Sequence, residues 1–156
     1  MYNKGIPKGR EKQGNIQFYQ LNQGVNNMNR KILDQDIDSA LSTHGGFFAF
    51  GNDQMKEHIN PKLKYVSLGG GLYAPKKSYK QLAKAINKAS QDHIKRDLKD
   101  NSIKKIIWRE LANYETQISG DPYDCIEALK PYGITEDQIR SEYPTYWDHC
   151  VKNDYF

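Results

Sequence analysis

The sequence predicts an α+β fold, in which a small antiparallel sheet of about three strands packs against a mainly helical C-terminal half. Three observations carry this. Two short apolar runs are broken by glycine, His44-Gly-Gly-Phe-Phe-Ala-Phe-Gly51 and Val66-Ser-Leu-Gly-Gly-Gly-Leu-Tyr-Ala-Pro75, as expected of strands joined by tight turns. From Ser78 onward, apolar residues recur at helical spacing between capping signals. The strands precede most of the helices instead of alternating with them, which is the order of an α+β chain.

In chain order, residues 1–28 read as an extended polar arm, because Gly5, Gly9, Gly14, Gly24 and many Asn and Gln leave little apolar surface to bury. Within it, Ile16-Gln-Phe-Tyr-Gln-Leu21 alternates well enough to add as an edge strand. The arm is expected to dock on a partner or on a second copy. Residues 29–156 form a single domain. Ile32, Leu33, Ile37, Ala40 and Leu41 predict a helix over 29–43, stopped by Gly45 and Gly46. Phe47–Phe50 is the first strand, Gly51-Asn52-Asp53 a turn, and Gln54–His58 one helical turn. Lys64–Leu68 and Gly71–Ala74 are strands two and three, joined at Gly69-Gly70.

Ser78-Tyr-Lys-Gln81 has the form of a capping box and starts a helix running to about Lys99. Ser102 caps a second helix, which ends at Gly120. Asp121-Pro122 opens a third helix, which ends at Tyr132-Gly133. Thr135-Glu-Asp-Gln138 is a second capping box, and Pro144 is expected to break the helix it starts.

The composition narrows the classes of function. The chain of 156 residues is 27 % charged, with a mean hydropathy of −0.87, and no run approaches the roughly 18 apolar residues of a membrane helix. Met1–Arg10 has no apolar stretch of the kind a secretory signal needs, which predicts a cytoplasmic protein with no membrane partner. Cys125 and Cys150 are too few for a disulfide scaffold and read as free thiols. A zinc site from Cys125, His149 and Cys150 is disfavoured by spacing, so neither a metal nor a cofactor is expected. Charge is segregated: residues 76–109 hold 11 basic and 3 acidic groups, and residues 110–156 hold 3 basic and 10 acidic. Packing of these two segments against each other explains the pattern better than a nucleic-acid face does, because the basic residues are spread around their helix.

His44 is a candidate general base, with Asp36 or Glu57 to orient it, or else a residue closing its helix at the negative end of the dipole. The Ser67–Tyr73 glycine run fails as a phosphate loop, since a strand and not a helix follows it. Glu110 and Glu115 are five apart and do not share a helix face, so Arg109–Glu115 reads as an ion-pair segment. The stretch 124–139 resembles a helix-turn-helix in outline, but the second helix is acidic, which opposes DNA binding. The best nucleic-acid signal is the interleaving of Tyr65, Tyr73 and Tyr79 with Lys62, Lys64, Lys76, Lys77, Lys80 and Lys84.

His44-Gly-Gly-Phe-Phe-Ala-Phe-Gly-Asn52, Gly-Gly-Leu-Tyr-Ala-Pro-Lys76, Arg109-Glu-Leu-Ala-Asn-Tyr-Glu115 and Glu127-Ala-Leu-Lys-Pro-Tyr-Gly-Ile-Thr135 together resemble a family of small uncharacterised proteins, found mainly in bacteriophages and related mobile elements. The resemblance covers about residues 40–153 and carries no catalytic residues to transfer. It implies an accessory protein in a bacterial host cell that acts by binding. The expected function is therefore non-enzymatic binding of a host or phage protein, for example to block a defence or regulatory factor, through His44, Asn52, Gln54, Tyr65 and Tyr73. The alternative is single-stranded nucleic-acid binding through Lys76, Lys77, Tyr79 and Lys80. A third reading is a small-substrate or nucleotide-processing enzyme that uses His44.

Overall fold

The computed structural model describes residues 13–156, with side chains from Met28 onward. The element order is α1 (Gln13–His44), β1 (Phe47–Phe48), α2 (Asn52–His58), β2 (Tyr65–Gly69), β3 (Leu72–Pro75), α3 (Tyr79–Asp100), α4 (Ile103–Asn113), α5 (Thr116–Ser119), α6 (Tyr123–Leu129), a 3-10 turn (Lys130–Tyr132) and α7 (Glu136–Asn153). The sheet is antiparallel with strand order β1-β3-β2. The protein is α+β, as its sequence predicts.

Several local expectations are corrected. α1 begins at Gln13, so residues 13–28 are helical and not an extended arm, and Ile16–Leu21 is not an edge strand. Weak local propensity is overridden once a helix is nucleated next to it, because each added residue then gains a backbone hydrogen bond. Residues 1–12 of the expected arm lie outside the described residues. The expected turn at Asn52 is the start of α2, with Gly51 as its N-cap. Ser78 does not cap α3 through its side chain; its hydroxyl donates to the carbonyl of His44 at 2.7 Å. The single helix expected between Ser102 and Gly120 is two, because Glu115 takes a left-handed conformation at φ 49°. Pro144 lies inside a continuous α7. Ile139 on one side of it and Tyr146 and Cys150 on the other are all buried, and that packing outweighs the lost backbone bond.

Other signals hold. Ser102 accepts from the amide of Lys105, and Thr135 with Gln138 forms a complete capping box. α1 closes with the amide of Gly46 donating to the Leu41 carbonyl at 2.9 Å. A Cβ on Gly46 would stand 2.5 Å from a Leu82 methyl and 2.9 Å from a Leu41 methyl, so a glycine lets the chain leave α1 directly over α3.

Two apolar clusters result. In the first, Ala40 of α1, Ala74 of β3 and Leu82 of α3 are buried together, with Leu41, Leu68, Leu72, Tyr79 and Ile86 packed around them. The second joins α4, α6 and α7 through Ile106, Ile107, Leu111, Leu129, Ile139, Tyr146 and their neighbours. Both cysteines are buried in it, and burial pushes the Cys125 thiol up to about 12.

Between the two clusters sits a buried polar joint. Asp97, on α3, is 2 % exposed. Arg109 of α4 donates to both its oxygens, at 3.0 and 2.8 Å, Tyr132 donates at 2.7 Å, and Asn101 at 2.8 Å. Arg109 also reaches its neighbour Glu110 at 2.9 Å, the ion pairing expected of this segment. Burial alone would raise the Asp97 carboxyl; the bonds from Arg109 and Tyr132 and the Arg109 charge outweigh it and hold the group below its usual range.

A carboxyl depressed in the folded state contributes stability above its unfolded value of about 3.9 and loses it as pH falls through the folded value. Asp97→Asn should lower stability by about 3–5 kcal/mol at neutral pH and flatten the acid limb below about pH 4. Denaturant melts of both proteins between pH 2 and 7 measure this, and parallel acid limbs would contradict it. Both thiols should resist a disulfide reagent in the native state and react at the unfolding rate, which thiol titration across a denaturant series reads directly.

Candidate functional site

The sheet brings two of the five predicted site residues, Tyr65 and Tyr73, to one face. Phe47 pairs with Tyr73, Tyr73 with Ser67, and Tyr65 with Pro75, and directly opposed residues share a face. The opposite face carries Ala74 and its partner Val66, and Ala74 packs against Ala40 and Leu82. On the outer face Phe47 is the hub. His58 of α2 stacks on its ring at 4.9 Å, Tyr65 meets it edge-on at 5.6 Å, and Tyr73 stacks at 5.9 Å. Tyr65 and Tyr73 are half-buried, and the Tyr65 hydroxyl accepts from the amide of Asn60 at 3.0 Å. The two tyrosines therefore present one edge to solvent and spend the other on the sheet.

The end of β1 and the residues after it make a shelf that the sequence reading missed. Phe48 is 45 % and Phe50 77 % exposed, and their rings lie nearly parallel, at 9° and 6.3 Å. The Phe50 ring rests on the backbone of Gly71, where a Cβ would stand 2.5 Å from it. Gln54 is committed to this turn, its Oε1 accepting from the Phe50 amide at 2.8 Å. Asn52 is exposed at the first position of α2. His44 is the last residue of α1 and half-buried, where its carbonyl takes the Ser78 bond. The legible signal for the shelf was Phe-Phe-Ala-Phe beside a two-residue strand: an alternating strand can bury one face, and three aromatics exceed it.

The alternative set also has a place. Lys62, Lys64, Lys76 and Lys77 are exposed and line a shallow groove of about 340 Å³, with Leu63 and Pro75 as its apolar floor. The Lys76 amide donates to the Lys64 carbonyl at 2.8 Å, so two strands hold these lysines side by side. Among the described residues, none of the four has a salt bridge. Tyr79, by contrast, packs on the first apolar cluster, with the Lys80 ammonium 6.0 Å from its ring centroid. Cys125 and Cys150 are buried in the second cluster, and no group of three or more potential metal ligands occurs among the described residues. No described helix is long and apolar enough to cross a membrane.

These features define a small α+β protein with an aromatic shelf at Phe48 and Phe50 and a lysine groove where β2 begins and β3 ends. The chain belongs to a family of unknown function, DUF7659, matched over residues 29–149. No curated protein and no solved structure matches it.

Phe47→Ala should cost about 3–5 kcal/mol, since one ring holds His58, Tyr65 and Tyr73 in place. Tyr65→Phe should cost about 1 kcal/mol, by leaving the Asn60 amide without its acceptor. Chemical denaturation of the two variants distinguishes the hub from its periphery.

Proposed function

We propose that this chain acts without catalysis, by binding a macromolecule, and that its partner is a protein docked on the Phe48–Phe50 shelf. The observation that carries this reading is Phe50, a large ring 77 % exposed yet placed in close contact with Gly71 and nearly parallel to the Phe48 ring. A ring fixed in its bound-like orientation loses little conformational freedom on docking, and burying it contributes about 1.5–3 kcal/mol. Asn52 and Gln54 border the same turn and supply polar groups at the rim. Phe48 pairs with Leu72 and lies on the sheet face opposite Tyr65 and Tyr73, so a partner that wraps around the short β1 edge reaches those tyrosines, and His44 before β1, as well. The resemblance to phage and mobile-element proteins supports a role as an accessory factor in a bacterial cell, one that blocks a host defence or regulatory protein.

A photo-crosslinking amino acid at position 50, introduced in the carrier host, should give a discrete protein adduct. With that partner in hand, Phe48→Ser with Phe50→Ser should weaken binding at least tenfold, and His44→Ala or Asn52→Ala should weaken it without lowering Tm. An adduct to nucleic acid, or full affinity in the double serine variant, would overturn the reading.

The lysine groove favours a second reading, binding of single-stranded nucleic acid through Lys76, Lys77, Tyr79 and Lys80. Four lysines without salt bridges beside half-exposed tyrosines suit a phosphate backbone and its bases. Affinity for an oligonucleotide should then fall steeply with salt, and Lys76→Ala with Lys77→Ala should reduce the slope by about 1–2. A slope unchanged in that variant excludes the groove.

A further inference from the structure

α1 and α3 pack as an antiparallel pair. The Ser78 hydroxyl bonds the His44 carbonyl, Ala40 packs with Leu82, and Lys88, held up chiefly by its hydrogen bond to Asp92, also feels Asp36 across the pair. Asn29 lies fifteen residues before His44 and His93 fifteen after Ser78. At about 1.5 Å per residue both stand roughly 22 Å from that contact, level with each other. Arg96 is one turn further along the His93 face of α3.

At this level, among the described residues, four polar atoms are buried without a hydrogen-bond partner: Asn29 Nδ2, His93 Nδ1, and Arg96 Nε and Nη2. Asn29 is itself only 5 % exposed. Buried polar groups in folded proteins are nearly always bonded, so a cluster of such atoms marks a place where an acceptor belongs. Of the acids near this level, Asp92 pairs with Lys88, Asp97 with Arg109 and Asp34 with Arg30; Asp100, one turn after Arg96, is exposed and forms no salt bridge among the described residues. Residues 12–33 contain no Asp or Glu, so α1 supplies no carboxylate at this height.

We propose that Asn29, His93 and Arg96 form an anion site between α1 and α3 that takes a phosphate group. The Nε and Nη2 edge of a guanidinium matches two oxygens of an oxyanion side by side. Asn29 Nδ2, and His93 Nδ1 when it carries the ring proton, then serve the remaining oxygens. A carboxylate can accept four bonds, as Asp97 does here; phosphate offers more acceptor sites, spread over tetrahedral oxygens, and more negative charge beside Arg96. Arg96 and His93 are half-buried and not sealed, so side-chain movement opens the site. It lies on the α1–α3 pair, apart from the hairpin groove, and stands whether or not the chain binds a protein.

The full chain is titrated with inorganic phosphate, with adenosine monophosphate and with acetate, ionic strength held constant with chloride. Phosphate at tenfold over its Kd should raise Tm by about 3–6 °C, with the His93 ring resonances shifting at the same concentrations. Arg96→Met should abolish both effects, and Lys76→Ala with Lys77→Ala should leave them intact. A response to the nucleotide at lower concentration than to phosphate identifies a phosphate ester as the preferred form of the ligand. Absence of any rise over chloride, an equal rise with acetate, or a rise retained in Arg96→Met would overturn the proposal. Should Arg96→Met not fold, the resonance shifts in the unaltered protein decide it, because phosphate held only by surface lysines leaves the His93 ring unmoved.

Discussion

The Asp97–Arg109 pair is the constraint on which the assembly depends. The two apolar clusters are built from different elements, one from α1, the sheet and α3, the other from α4, α6 and α7. α3 belongs to the first cluster, yet its last turns carry Asp97 into the bond network of Arg109 and Tyr132, which belong to the second half. A bidentate guanidinium–carboxylate pair fixes direction as well as distance. An apolar contact of the same size would let the halves slide; this joint sets how α3 leaves the first half and how α4 enters the second.

Much of this was legible in the residues, and the failures have physical causes. Capping signals that satisfy backbone groups locally, Ser102 and Thr135 with Gln138, act as written. Ser78 has the same pattern and behaves differently, because the His44 carbonyl at the end of α1 competes for its hydroxyl and lies beyond any local reading. Pro144 is read as a breaker when only the chain is considered, but Tyr146 and Cys150 are fixed by burial in the same core as Ile139. Asp97 falls four residues after His93 on the apolar face of α3, a position where an acid signals a buried partner; the partner, Arg109, is on the next helix and has no fixed spacing to it.

The hairpin shows the same division. Its existence and the close approaches at its glycines follow from the sequence, since few residues other than glycine tolerate an aromatic ring against the backbone, as Phe50 lies on Gly71. The division of its aromatics between hub and shelf does not follow. Phe47 and Phe48 are neighbours of the same type, and only strand alternation sends one beneath His58 and leaves the other beside Phe50. Tyr65 and Tyr73, which composition marks as free anchors, are instead half committed to the Phe47 ring.

The two edges of the sheet are unlike. β1 is two residues long, too short to offer a ladder of unpaired amides and carbonyls to another chain. β2, the opposite edge, has five residues, but it is entered from Lys62 and Lys64 and interrupted by an irregular register between Ser67 and Gly69. Short length, flanking lysines and a local kink are the devices by which sheets avoid joining edge to edge. A chain that displays Phe48 and Phe50 beside such a sheet can thus keep its sticky surface for side-chain contact while denying its backbone to self-association into fibrils.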